Sequence, residues 1–174
     1  MYKEGAGIDY YFSFYMVPFS VFVISLINIF YIILYTKKFP EFEKLKSNNL
    51  PWPWEENWEK FKSDAPNIVW TYIRNNFMVF PIVFNLIFTF YNLDLNIDTM
   101  PSYPRFLFNV WFSFVIEDFF FYWVHRLLHH PKMYWIHKKH HKFYNTFHMA
   151  CIYTHWIEFV LGNVLPILAG SMIL

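Results

Sequence analysis

Residues 106–155 read FLFNVWFSFVIEDFFFYWVHRLLHHPKMYWIHKKHHKFYNTFHMACIYTH. The first part, 106–124, is almost wholly apolar and about as long as the hydrocarbon core of a bilayer requires of a helix. It runs directly into 125–155, which holds all eight histidines of the 174-residue chain. Glu117 and Asp118 interrupt the apolar part, and ionisable groups inside a membrane span are functional candidates by default. A membrane helix is therefore followed at once by a concentrated set of metal-type ligands.

Working outward, Tyr10 to Thr36 contains no charged residue and is closed by Lys37 and Lys38. It spans, and it is too long for the apolar region of a cleavable signal peptide. A second apolar run, Ile68 to Tyr91, is interrupted by Arg74 and carries Pro81, which should kink it. A fourth, Trp156 to Leu174, closes the sequence. The expected fold is an all-α integral membrane protein. About four transmembrane helices form two hairpins under a cytosol-facing, histidine-rich helical cap. The divisions follow: 1–66, a polar lead, the first span and an interfacial loop; 67–124, spans two and three; 125–155, the metal-binding region; 156–174, an apparently truncated fourth helix. Within the first division, 37–66 holds six lysines, six acids and four prolines. Its PWPWEENWEKFK segment (51–62) has tryptophans of the kind that sit at headgroup level. A second loop is expected over 92–105, with Pro101 and Pro104 bracketing a turn.

Composition agrees. Charged residues make up 16% and aromatics 25%, against about 25% charged in soluble domains. A net charge of +1 gives no reason to expect a nucleic-acid partner. The single cysteine, Cys151, excludes an internal disulfide framework and a multi-cysteine zinc site. The 37–66 loop and the histidine segment together hold eleven of the fourteen lysines and arginines, so both are expected on the cytosolic side.

If the third span stays helical through HRLLHH, then His125 and His129 share a face, one turn apart, with Asp118 two turns back on the same stripe. His130 points away. Pro131 then starts a new element, on which His137, His140 and His141 fall at i, i+3 and i+4, while Lys138 and Lys139 stay solvated. Five imidazoles on two faces exceed what one tetrahedral zinc needs and suit a dinuclear or higher-coordinate first-row metal centre. Asp118 is the expected acceptor for the outer N–H of a ligand histidine. No HExxH, CxxC, P-loop, GxGxxG or GxSxG pattern is present.

The run VIEDFFFYWVHRLLHH, then IHKKHHKF, then YTHWIE resembles the fatty acid hydroxylase superfamily, and within it most resembles the C-4 methylsterol oxidases. The likeness covers about residues 50 to 160. It implies an integral-membrane, non-haem iron oxygenase using dioxygen, a dinuclear iron centre, and electrons from a cytochrome b5-type donor. It also implies a sterol or fatty acyl substrate and residence in the endoplasmic reticulum. Residue by residue it makes His125, His129, His137, His140 and His141 ligands, with His155 a further candidate. The family pattern differs at three places: it often has a histidine where Phe121 stands, a glycine at His148 and a proline at Trp156. It also has a later HxxHH cluster, and Leu174 comes before it. Two readings follow from that end. The chain is part of a longer oxygenase, or it is an oxygenase-derived structural subunit of a larger membrane complex, for which the mitochondrial inner membrane is as suitable. A histidine-lined transporter is the third reading, and it would place the histidines within the spans.

Overall fold

Inside a bilayer the backbone has no water to bond, so a chain this apolar must satisfy its N–H and C=O groups within helices. The computed structural model describes the backbone of residues 6–46, 50–90, 98 and 100–174, and the side chains of these except 6–14 and 88–90. Among the described residues the regular structure is helical throughout. The protein is an all-α membrane protein.

Helix α1 (Ala6–Lys37) ends where Lys38 turns to φ +48°. Most of its large side chains, such as Phe19, Phe22, Leu26 and Phe30, are exposed and fit a lipid-facing surface. Its polar residues fold back onto the helix: the Ser25 hydroxyl reaches the Val21 carbonyl at 2.7 Å and the Asn28 amide the Ile24 carbonyl at 2.9 Å. Two one-turn helices follow, α2 (Pro40–Glu43) and α3 (Pro53–Glu56). Asn57 caps α4 (Trp58–Ile73), its side-chain oxygen accepting from the Lys60 N–H at 2.9 Å.

From α4 the rod continues through a π-helical turn, Arg74–Val79, into α5 (Phe80–Phe90). The expected irregularity at Pro81 is met here, one turn earlier, by a widened turn. Pro81 has no N–H to donate, and the Phe80 N–H reaches back five residues to the Asn75 carbonyl. The turn aims Arg74 and Asn75 at one partner: Arg74 donates to the Thr154 carbonyl at 3.2 Å, and Asn75 to the Thr154 hydroxyl at 3.3 Å.

Helix α6 (Tyr103–Leu128) is unbroken. After it come α7 (Tyr134–His137), a 3-10 turn at His140–Lys142, and α8 (His148–Cys151). The last rod is α9 (Trp156–Phe159), a π turn at Val160–Val164, and α10 (Leu165–Ile173). Helix α1 packs on α5, and α6 on α10. The π turn after α9 touches α5, and α9 touches the π turn after α4. Among the described residues three helices are long and apolar enough to cross a membrane: Tyr15–Lys37, Tyr103–Leu128 and Trp156–Ile173. The expected second span is helical as far as Phe90 and lies beside α1, but it is not one of those three. Of the expected 92–105 loop, residues 92–97 and 99 lie outside the described residues, as do 1–5 of the polar lead.

Beneath the loops Ile68, Phe147, Ala150 and Tyr153 form a buried cluster, with Tyr35, Trp52, Trp54 and Phe61 against it. Trp52 and Trp54 stack at 5.4 Å. Tyr31 stacks on His148 at 4.4 Å, and the Tyr35 hydroxyl accepts the His148 N–H at 2.9 Å. The aromatic loop thus fastens the histidine segment to α1.

The α6–α10 contact leaves no room at Gly170, where an added Cβ would lie 2.5 Å from the Ser113 Cα. Gly170→Leu should therefore cost about 1–3 kcal/mol through overpacking. Gly162→Ala meets nothing within 4 Å and should be neutral or slightly stabilising, since alanine is the better helix former. Thermal melts of the two variants in detergent check the contrast.

Candidate metal centre

Helix α6 carries His125 in its last turn and ends on His129, so the one-face expectation for this pair is met by an ordinary helix. Their Nε2 atoms are 3.2 Å apart. The second set is built differently from the expected single helix. His137 ends the one-turn α7, and the chain turns before His140 and His141 begin a 3-10 turn. That turn still brings His141 Nε2 to 2.8 Å from His137 Nε2, which is 3.2 Å from His129 Nε2. One nitrogen from each of His125, His129, His137 and His141 falls within 4.8 Å of the others. A metal bound by imidazoles at about 2.0–2.1 Å in a tetrahedral site would hold them about 3.3 Å apart, so the group has the right size for an ion.

His137 is fully buried, while His129 and His141 are exposed, so the group is closed on one side and open on the other. Burial first, and then the neighbouring imidazoles, push His137 down to about 3. The same causes lower His141 and His140. These rings are neutral at physiological pH and offer lone pairs, as metal ligation requires. His137 Nδ1 lies 2.6 Å from Glu158 Oε1, and the Glu158 side chain is buried. Because the ring is neutral, this is a hydrogen bond between imidazole and carboxyl and not an imidazolium ion pair. When the Nδ1–H donates it, the tautomer leaves Nε2 free toward the other three rings.

Glu158 went unrecognised in the sequence, where Asp118 was expected in this role. Asp118 is exposed, and among the described residues no hydrogen bond joins it to a histidine. A signal for Glu158 existed: it is the one acid in the last apolar run, three residues after His155. Thr154, bonded to Arg74 and Asn75, sets the start of α9 and so the position of Glu158. Lys139, expected to be solvated, instead donates to the Thr71 hydroxyl at 2.6 Å and lies over the Tyr153 ring. Its ammonium is pushed down to about 8, by burial first and then by Arg74.

His140 stands beside the four. Its ring is 5.5 Å from that of His137 and 6.5 Å from that of His125, and its Nδ1 is buried without a partner. It lines a cavity of about 200 Å³ with Phe121, His125, Cys151, Glu158 and Asn163. Glu158 Oε2 is likewise buried and unpartnered. His155 is elsewhere: its Nδ1 accepts the Ile157 N–H at 3.2 Å, and its ring meets Trp135. His130 is turned outward, bonded to the Lys132 N–H.

Residues 110–174 match the family model for fatty acid hydroxylase, and the match contains the whole histidine group. Over those residues the chain resembles the fatty acid hydroxylase family. It is 42% identical over 77 residues to fatty acid hydroxylase ahd1 of Mycosarcoma maydis, covering 44% of this chain and 20% of that one. With human fatty acid hydroxylase domain-containing protein 2 it shares 38% over 76 residues, 43% of this chain and 23% of the relative. With methylsterol monooxygenase 1 of Danio rerio it shares 34% over 117 residues, 64% of this chain and 38% of the relative. The matched region thus spans at most about two fifths of these relatives. No solved structure matches the chain.

The residues present suit a first-row divalent metal: four converging imidazoles, one of them oriented by a carboxyl group, with two unpartnered donor atoms beside them. Acid should weaken the metal-free protein. Between about 6.5 and 3 the unfolded chain protonates His137 and the native chain does not, so stability falls as pH falls through that window. The slope should be about 1.4 kcal/mol per pH unit for each such histidine. Melting temperature followed from about pH 7 to about pH 4 should fall, most steeply at the acid end. A profile flat through the acid end would contradict a neutral His137.

Proposed function

We propose that this chain carries the metal centre of a membrane-bound, iron-dependent lipid oxygenase acting on a sterol or fatty acyl substrate, with C-4 methyl groups of sterols the favoured target. The observation that carries this reading is the focus of four histidine nitrogens within 4.8 Å at the end of a membrane-length helix. Iron held there, as two ions with dioxygen as co-substrate, would supply the oxidising power to hydroxylate an unactivated C–H bond.

The residues around it have definable work. His125, His129, His137 and His141 hold the metal, with His140 as a fifth donor at the edge of the cavity. Glu158 keeps His137 in the ligating tautomer. Phe121 and Leu128 make one wall of the cavity apolar, so that the carbon to be oxidised is held out of water beside His125. Electrons come from a cytochrome b5-type donor on the cytosolic side, and the membrane is that of the endoplasmic reticulum.

The test is iron analysis of the purified full-length protein, followed by incubation with a dimethylsterol, dioxygen and a reductase system. At least one iron per chain and a hydroxylated methyl group are expected. One feature favours a second reading, a non-catalytic structural subunit of a membrane complex. Phe121, at a position where similar proteins often carry histidine, places a phenyl ring 5.6 Å from the His125 ring. Under that reading the native protein holds less than one iron per chain and copurifies with partner subunits.

A further inference from the structure

Asn109, Ser113, Glu117, Phe121 and His125 follow one i+4 ridge of α6. The ridge lies along the seam with the last helical rod, and the seam holds two hollows. The upper one is the 200 Å³ cavity at His125 and Glu158. The lower, of about 400 Å³, is lined by Asn109, Ser113 and Glu117 from α6 and by Ile167 and Ser171 from α10. At 1.5 Å per residue, Glu117 is about 12 Å and Asn109 about 24 Å along the helix from His125.

The chemistry of the lower hollow is unusual for its depth. Glu117 lies near the middle of a helix long enough to span the membrane. It makes no hydrogen bond or ion pair with any described residue. The Asn109 side-chain oxygen is buried and also has no partner. Polar groups left so in hydrocarbon cost several kcal/mol unless something bonds them. The Asn109 oxygen accepts, as does a carboxyl oxygen of Glu117 in either protonation state, so a hydroxyl donor satisfies them; Ser113 can take either part, while the Ser171 hydroxyl already donates to the Leu168 carbonyl at 2.8 Å.

We propose that this lower hollow is a second recognition site for the lipid substrate. It takes a hydroxyl group on a sterol-sized molecule, roughly 12–24 Å from the carbon presented to the histidines. The inference rests on the oxygenase reading for the word substrate, and on the hollow itself for the binding. It sharpens that reading. A methylsterol held with its C-4 methyl at the cluster has its ring hydroxyl there too, and would offer the lower hollow only its aliphatic tail. A sterol oxygenated in the tail satisfies both ends of the seam.

The test uses the full-length protein in lipid nanodiscs with tritiated cholesterol and a side-chain-hydroxylated cholesterol of equal label. The hydroxylated sterol should bind about tenfold more tightly, the effect of one well-made hydrogen bond. Glu117→Leu should abolish the preference and leave cholesterol binding within about twofold, whereas Glu117→Gln, which keeps an acceptor oxygen, should retain part of it. Equal binding of the two sterols, binding of neither, or a preference untouched by Glu117→Leu combined with Asn109→Leu would overturn the site. Iron is measured on the same preparations. A metal-free protein that still prefers the hydroxylated sterol sinks the oxygenase reading and keeps the site. A metal-loaded, active protein without the preference sinks the site alone.

Discussion

His137→Ala is expected to strip the centre of metal. His137 is the hub of the group: its Nε2 stands within 3.2 Å of those of His129 and His141, and its Nδ1 is held by Glu158. Losing it removes a proposed ligand and, among the described residues, the one ring held by a buried carboxyl group. The fall in metal affinity should exceed the roughly 10- to 100-fold typical of an outer partner. Iron per chain, measured after dialysis against a weak chelator, should drop below a tenth of the wild-type value. Because His137 is buried, its loss also disturbs packing, so His141→Ala, at an exposed ring, is the companion variant and should lose metal with little change in melting temperature. His155→Ala should keep its metal, because His155 caps α9 and sits against Trp135. Retention of full iron by His141→Ala would remove the four-histidine assignment.

Glu158→Ala should produce the second large effect, a 10- to 100-fold loss of metal affinity with all the histidines intact. It leaves the His137 Nδ1–H buried without an acceptor, which should also lower stability by about 1–3 kcal/mol. Glu158→Gln keeps an oxygen for that N–H and should fall between the variant and the wild type. Asp118→Ala is the comparison that decides which acid matters. Asp118 is exposed, and its loss should change metal affinity by less than about twofold, within the range of surface substitutions. Chelator competition on the three variants reads the order directly, and an Asp118 effect larger than that of Glu158 would reverse the assignment.

The place of Glu158 shows how far sequence could go at this site. His125 and His129 were readable because one uninterrupted helix carries both, and a four-residue spacing has one outcome on a helix. His137 and His141 have the same spacing but are joined by a turn, and they meet because the chain folds around Lys138 and Lys139. Helical phase and the observed turn pair the same two residues, His137 and His141, along different backbone paths. Lys139 differs for the same reason: helical phase places it in water, whereas the turn brings its ammonium over the Tyr153 ring and onto the Thr71 hydroxyl. Glu158 lies twenty-one residues from His137. No local period links them, and only the packing of α9 against α7 brings carboxyl to imidazole.

The sequence by itself determined the class of molecule and pointed to a class of chemistry. Apolar runs of bilayer length leave the backbone no option but helix, and eight imidazoles gathered at and beyond the end of one span are the pattern a metal site would need. Those properties are additive along the chain, so order of residues suffices to read them. The tertiary structure alone decided which imidazoles share a focus, which acid orients them, and that Asn109 and Glu117 look into the same seam as the metal group. These depend on the crossing of α6 with the last rod, fixed where Gly170 lets the two backbones touch at Ser113. A contact between surfaces distant in sequence carries no period for a single chain to display.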